Sequence, residues 1–152
     1  MKKKALFIFI SLIALVFLGY AIFGAESKDV NAIQVDLYKS SSCGCCEVYS
    51  KYLDQSKYDV NKKNVESMNS IKSKYQIPSD MQSCHTSIVE GYFVEGHIPV
   101  EAVNKLLDER PEIDGIAMPG MPSGSPGMPG SKNEDFIIYS IKDGEVSEFM
   151  RI

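Results

Sequence analysis

Histidine, cysteine and tryptophan are scarce in this chain: two, four and none among 152 residues. His85 and His97 are therefore the whole supply of imidazole, and chemistry that needs one must use these positions. Basic charge is short as well. Setting aside Lys2, Lys3 and Lys4 leaves 13 of the 16 basic residues against 20 acidic ones, a net of −7. An acidic domain without a basic patch is a poor partner for nucleic acid. The surplus of Asp and Glu reads first as a solvated surface. No internal repeat occurs beyond a Met-Pro-Gly echo, and the length fits one ordinary domain with room for a core.

Only one long apolar run exists. It follows Met1-Lys2-Lys3-Lys4 and extends from Ala5 to Ala25, broken by Ser11, Gly19, Tyr20 and Gly24. A positive start before such a run marks an export signal or a single membrane anchor over residues 1–25, with a linker over 26–32. The run is close to the ~20 residues that span a bilayer. Gly19-Tyr20-Ala21 offers a small-x-small cleavage point, whereas Phe23 spoils the one before Ala25. Both outcomes place Glu26 onward outside the cytoplasm, in the periplasm or on the outer face of the cytoplasmic membrane, anchored or secreted.

Outside the cytoplasm, cysteines normally become disulfide staples. Here Cys43, Cys45 and Cys46 crowd into four residues, and Cys84 stands about forty residues away. Near neighbours cannot staple distant segments, so the cysteines read as a site. Cys43 and Cys46 form a C-x-x-C pair at the junction of an alternating strand pattern and a helical one. A helix N-terminus lowers thiol pKa by placing partial positive charge beside the sulfur. Cys45 is one thiol more than a dithiol pair needs, and that excess points toward metal.

The surrounding pattern is α/β. Ile33, Val35 and Leu37 alternate with polar residues as a strand does. Ser42 is placed to cap a helix from about Cys45 to Lys57, with Val48, Tyr49, Tyr52 and Leu53 on one stripe. Tyr58 and Val60 open a second strand, and Met68, Ile71 and Tyr75 mark a second helix that ends before Pro78. Met68 and the tyrosines at 49, 52 and 75 read as packing. Ser87–Val89, Glu90-Gly91 and Tyr92–Val94 read as a hairpin. Pro99 opens a third helix with Val100, Val103, Leu106 and Leu107 inward, and Pro111 stops it. The order β-α-β-α-β-β-α gives a mixed sheet flanked by helices. Residues 117–130 hold four prolines and four glycines, which predicts an exposed loop. A closing hairpin is expected over 136–151, so the domain spans 33–152.

This order, with C-x-x-C at the first βα junction, resembles the thioredoxin and glutaredoxin superfamily. That resemblance brings the turn Met81-Gln82-Ser83-Cys84-His85-Thr86 against the first cysteines, with a thiol and an imidazole where the superfamily usually has a cis-proline. A closer likeness runs from about Ile33 to Met128. The segments Cys43-Gly44-Cys45-Cys46, Ser83-Cys84-His85-Thr86, Gly91-Tyr92, Val94-Glu95-Gly96-His97-Ile98-Pro99 and Met118-Pro119-Gly120-Met121-Pro122-Ser123-Gly124-Ser125-Pro126-Gly127-Met128 resemble the CopG-type copper-resistance proteins, exported thioredoxin-like metal-binding domains. The resemblance implies copper held by the C-x-C-C and Cys-His segments, with copper redox chemistry as a further implication.

Ligand chemistry argues the same way. Thiolate and thioether are soft donors that select Cu(I). Cys43, Cys45, Cys46 and Cys84 have the lone pairs to bridge several ions, and His85 adjoins Cys84. His97 is a ligand or a hydrogen-bonding neighbour of one. Met118, Met121 and Met128 are weaker candidates, either filling gaps in the core or forming a thioether flap that receives metal. Copper ions, and other copper-handling proteins, are the expected partners. Two other classes compete. One is a metal-free thiol–disulfide oxidoreductase in which Cys43 attacks and Cys46 resolves. The other is a structural zinc site built from all four cysteines, or from three of them and a histidine. The residues alone leave turnover open.

Overall fold

The structure, a computed structural model, describes residues 31–152 together with Ile13. The expected signal or anchor over 1–25 therefore lies outside the described residues apart from Ile13. Among the described residues no helix is long and apolar enough to cross a membrane.

Among residues 31–152 there are seven strands and three α-helices, and all but one strand follow the sequence pattern. They are β1 (Ile33–Lys39), α1 (Gly44–Asp54), β2 (Tyr58–Asn64), α2 (Met68–Lys74), β3 (His85–Val89), β4 (Tyr92–Glu95), α3 (Val100–Glu109), β5 (Gly115–Ala117), β6 (Ile137–Lys142) and β7 (Glu145–Arg151). One mixed sheet runs in the order β2-β1-β3-β4-β5-β6-β7. β1 pairs parallel with β2 and antiparallel with β3, and β4 pairs parallel with β5. The remaining neighbours are antiparallel.

Alternation along the strands divides the interior into two clusters. Val35, Leu37, Val94 and Ile116 join Tyr49 and Leu53 of α1 and Val103 and Leu106 of α3. Phe93, Ala117 and Ile141 point the other way and pack with Ile77, Tyr75 and Met81, which follow α2. The period-2 geometry of a strand requires this division: Phe93 and Val94 are neighbours and so serve opposite faces. Both predicted hairpins turn through two residues of positive φ, Glu90-Gly91 (49° and 93°) and Asp143-Gly144 (51° and 84°). This twist matches that of the flanking strands.

Five local expectations are corrected. Val48, expected on the inward stripe of α1, is 54 % exposed and leaves the packing to Tyr49, Tyr52 and Leu53. Ala117 belongs to β5, a three-residue strand that the Pro/Gly-rich composition hid, so the loop begins at Met118. Cys43, not Ser42, is the N-cap residue of α1, and no side chain caps that helix; the Ser42 hydroxyl pairs with that of Ser40 at 3.1 Å. The helix ends at Asp54, three residues early, where the Asp54 carboxylate accepts the Val60 N–H and turns the chain into β2. Met68 is half-buried on α2 and lies outside both core clusters.

Candidate metal centre

β1 and β4 run in the same direction, each antiparallel to the β3 between them. Their carboxyl ends and the start of β3 therefore share one edge, and the register Lys39 opposite His85 and Thr86 opposite Glu95 places the cysteine and histidine segments there. Crevices beyond the carboxyl ends of strands are habitual binding places in α/β folds.

The four sulfurs converge at this edge. Cys43 and Cys46 are joined by a disulfide across one turn of α1, with Cα atoms 5.4 Å apart. Cys45 and Cys84 are free thiols. The Cys45 Sγ lies 3.6 Å from that of Cys43 and 3.8 Å from that of Cys84. The Cys84 Sγ is 3.6 Å from Cys46 Sγ, 3.4 Å from His85 Nδ1 and 3.1 Å from His97 Nε2. Two potential ligand sets result, Cys43-Cys45-Cys46-Cys84 and Cys84-His85-His97, each with donor atoms within 4.8 Å of one another. Cys84 belongs to both.

Each imidazole is held in a form suited to ligation. His97 Nδ1 lies 2.7 Å from the Pro126 carbonyl, which can only accept, so Nδ1 carries the proton and Nε2 turns its lone pair toward Cys84. His85 is fully buried, and its Nε2 has no hydrogen-bond partner. The Tyr49 ring packs 4.5 Å from the His85 ring. Burial drives the His85 pKa well below its ordinary value, with His97 and the Lys72 ammonium adding to the shift. Burial also lowers His97, against the Pro126 hydrogen bond. The Cys84 thiol is pushed up to about 12 by burial, with Cys45 adding to the effect. A cation in this pocket reverses that preference, because binding requires the thiolate.

The donor set therefore suits a soft ion. Once the Cys43–Cys46 disulfide is reduced, four sulfurs and two nitrogens, with no carboxylate in either set, fit copper or zinc and exclude hard cations that require oxygen. The three methionines separate. Met118 is 1 % exposed and packs in the core, Met121 is 41 % exposed, and Met128 is half-buried. Their loop does reach the centre: a Cβ on Gly127 (φ +82°) would stand 2.9 Å from the Tyr49 nitrogen and 3.1 Å from the Cys45 carbonyl. Only glycine allows the loop to lie this close to the first turn of α1.

Two residues beside the centre escaped sequence reasoning. Glu95 is fully buried; its Oε1 accepts the Ser83 N–H at 2.5 Å and its Oε2 accepts the Thr86 hydroxyl at 2.6 Å. Lys72, also buried, forms an ion pair with the same carboxylate. Burial pushes the Glu95 pKa up, and Lys72, Thr86 and Ser83 pull it back. A lysine on a short helix reads as solvated, so only the unusual Val94-Glu95-Gly96-His97 run hinted at this pair.

Comparison with known proteins agrees with the site. Residues 81–128 match a family described as a protein of unknown function, DUF411. Two solved structures, both described as a copper resistance protein CopG (form 2 and form 1), are 34% identical over 80% of this chain and 98% of theirs. Their TM-scores are 0.74 and 0.73. No curated protein sequence matches the chain.

Proposed function

This chain belongs to the CopG-type copper-resistance family, and from that premise we propose that it binds copper as Cu(I), more than one ion per chain, outside the cytoplasm. One observation carries the reading: the Cys84 sulfur is common to an all-sulfur set and to a sulfur-and-two-imidazole set. A thiolate with spare lone pairs in that position is a natural bridge between ions. The half-exposed Cys43 and Cys45 give access from solvent, and Met121 offers a soft thioether at the rim. Copper is cargo in this reading, received from and passed to other copper-handling proteins, with the segment over 1–25 exporting the domain or holding it at the membrane.

The test is an anaerobic Cu(I) titration of the reduced full chain against a chromophoric chelator, with zinc in parallel. Retention of more than one Cu(I) per chain supports the proposal. Loss of copper to the chelator at every ratio, or preference for a single zinc, overturns it.

The disulfide between Cys43 and Cys46 favours a second reading, thiol–disulfide exchange. The Cys43 thiolate would attack a substrate disulfide and release one substrate thiol; Cys46 would then displace the second, leaving the Cys43–Cys46 bridge and a reduced substrate. Cys43→Ser should abolish reduction of a model disulfide while Cys45→Ser spares it. A wild-type chain without that activity removes this reading.

A further inference from the structure

The ligand-bearing segment over 83–86 is not held by strand pairing where it matters most. The β3 ladder begins at His85, where Gly96 N–H donates to the His85 carbonyl at 3.2 Å. Ser83 and Cys84 precede it. What grips this stretch from both sides is a single carboxylate. Glu95 accepts the Ser83 N–H on one side of Cys84-His85 and the Thr86 hydroxyl on the other. The Lys72 ammonium, arriving from α2, neutralises the charge. All three neighbours are donors, which is the environment an ionised carboxylate requires. Space is tight here too, since a Cβ on Gly96 would stand 3.0 Å from the Ser83 side chain and 2.7 Å from the Met118 carbonyl.

We propose that Glu95, with Lys72 as its counter-ion, is the positioning residue of the metal centre. Its carboxylate fixes the Ser83–Thr86 segment so that the Cys84 sulfur faces both histidines and the other cysteines before metal arrives. This inference rests on the copper reading above. Neither Glu95 nor Lys72 belongs to either ligand set; they act through Ser83 and Thr86. Outer partners of this kind set ligand orientation, and their loss typically lowers metal affinity by about 10–100-fold.

The charge-neutral double variant Lys72→Met/Glu95→Leu tests the idea in the reduced full chain, because replacing both members of a buried pair leaves no orphaned charge and removes the acceptor of Ser83 and Thr86. Three measurements are made: thermal unfolding, amide hydrogen exchange of Ser83 without metal, and Cu(I) affinity by chelator competition. The expected result is a folded chain whose Ser83 amide exchanges faster while Ile88 in β3 is unchanged. Its Cu(I) affinity falls by about 10–100-fold, with an altered thiolate-to-copper absorption band. Should the double variant not fold, Thr86→Val and Thr86→Ser decide. Valine keeps the shape and loses the hydroxyl, so copper affinity should drop; serine keeps the hydroxyl and should retain wild-type affinity. Unchanged affinity in the double variant, or Thr86→Ser weaker than Thr86→Val, overturns the proposal. A wild-type chain that binds no copper removes the premise instead, and shows it before any variant is compared.

Discussion

The two segments that meet at the sulfurs are built differently. The first, residues 40–46, holds Cys43 and Cys45 half-exposed and Cys46 buried, with Cys43 and Cys46 joined as a disulfide. Its support is local: Ser40 accepts the Cys43 N–H through its carbonyl at 3.1 Å, and the Ser40 and Ser42 hydroxyls bond each other in an exposed position. The second, residues 83–86, carries one thiol and one imidazole, and is gripped from beneath by a buried ion pair. The ion pair nearest the first segment makes the same contrast. Lys39 is buried, but its partner Glu47 is 43% exposed and also pairs with Lys62 at 3.0 Å. On the copper reading proposed above, the accessible segment would admit the metal and the clamped segment would keep the geometry.

The sharpest way to break this contrast is to remove one lysine from each pair. Lys72→Met alone leaves the Glu95 carboxylate buried without a counter-ion, which should cost about 3–5 kcal/mol in metal-free unfolding. Lys39→Met leaves Glu47 half in solvent with Lys62, and should cost under ~1 kcal/mol. Equal losses would mean that the two segments are held alike.

The thiols offer the next largest effect. Cys84→Ser removes the one sulfur common to both ligand sets, and should lower Cu(I) affinity beyond the ~100-fold upper range for an outer partner and reduce the copper count. Cys43→Ser leaves Cys45, Cys46 and Cys84 in place and should cost less. Chelator competition on both variants decides; a larger loss at Cys43 contradicts the comparison.

Smaller still is Gly127→Ala, which forces a Cβ toward the α1 backbone at positive φ. We expect about 1–3 kcal/mol of destabilisation, as for other overpacked contacts, together with weaker copper binding through displacement of the Pro126 carbonyl from His97. Unfolding and chelator titrations check it; unchanged copper affinity would show that the loop does not orient His97.

The smallest effect lies at the other end of β1, away from both segments. Tyr58 donates its hydroxyl to Asn104 Oδ1 at 2.6 Å, and burial raises its pKa from 10.0 to about 12. The unfolded chain then releases this proton at lower pH than the folded one, so stability should fall as pH rises from about 10 toward 12. Tyr58→Phe should flatten that part of the pH–stability curve without changing copper binding at neutral pH. A curve of unaltered slope would show that Tyr58 does not set it.

The elements with clear periodicity were legible from sequence: β1, the apolar stripe of α3 and the two hairpins whose turns demand positive φ. β5 was not, because three residues cannot display alternation. The cysteine and histidine residues announced themselves by type and spacing, and the structure brings all six together. Their supports did not. Lys72 and Glu95 are residue types that usually face water, and their burial depends on contacts between α2, the turn before β3, and β4. Met118 was ambiguous for a related reason, since thioether packing and thioether ligation use the same side chain.

The sheet ends in two open strands, β2 and β7, and neither is inviting to a second sheet. Glu145, Glu148 and Arg151 mark β7, with Glu148 and Arg151 paired at 2.8 Å, and Lys62 and Lys63 mark β2. Charged edges deter strand-to-strand stacking between molecules, the first step toward fibrils. Any partly opened form of the chain would still present these charged borders, which make it a poorer template for aggregates.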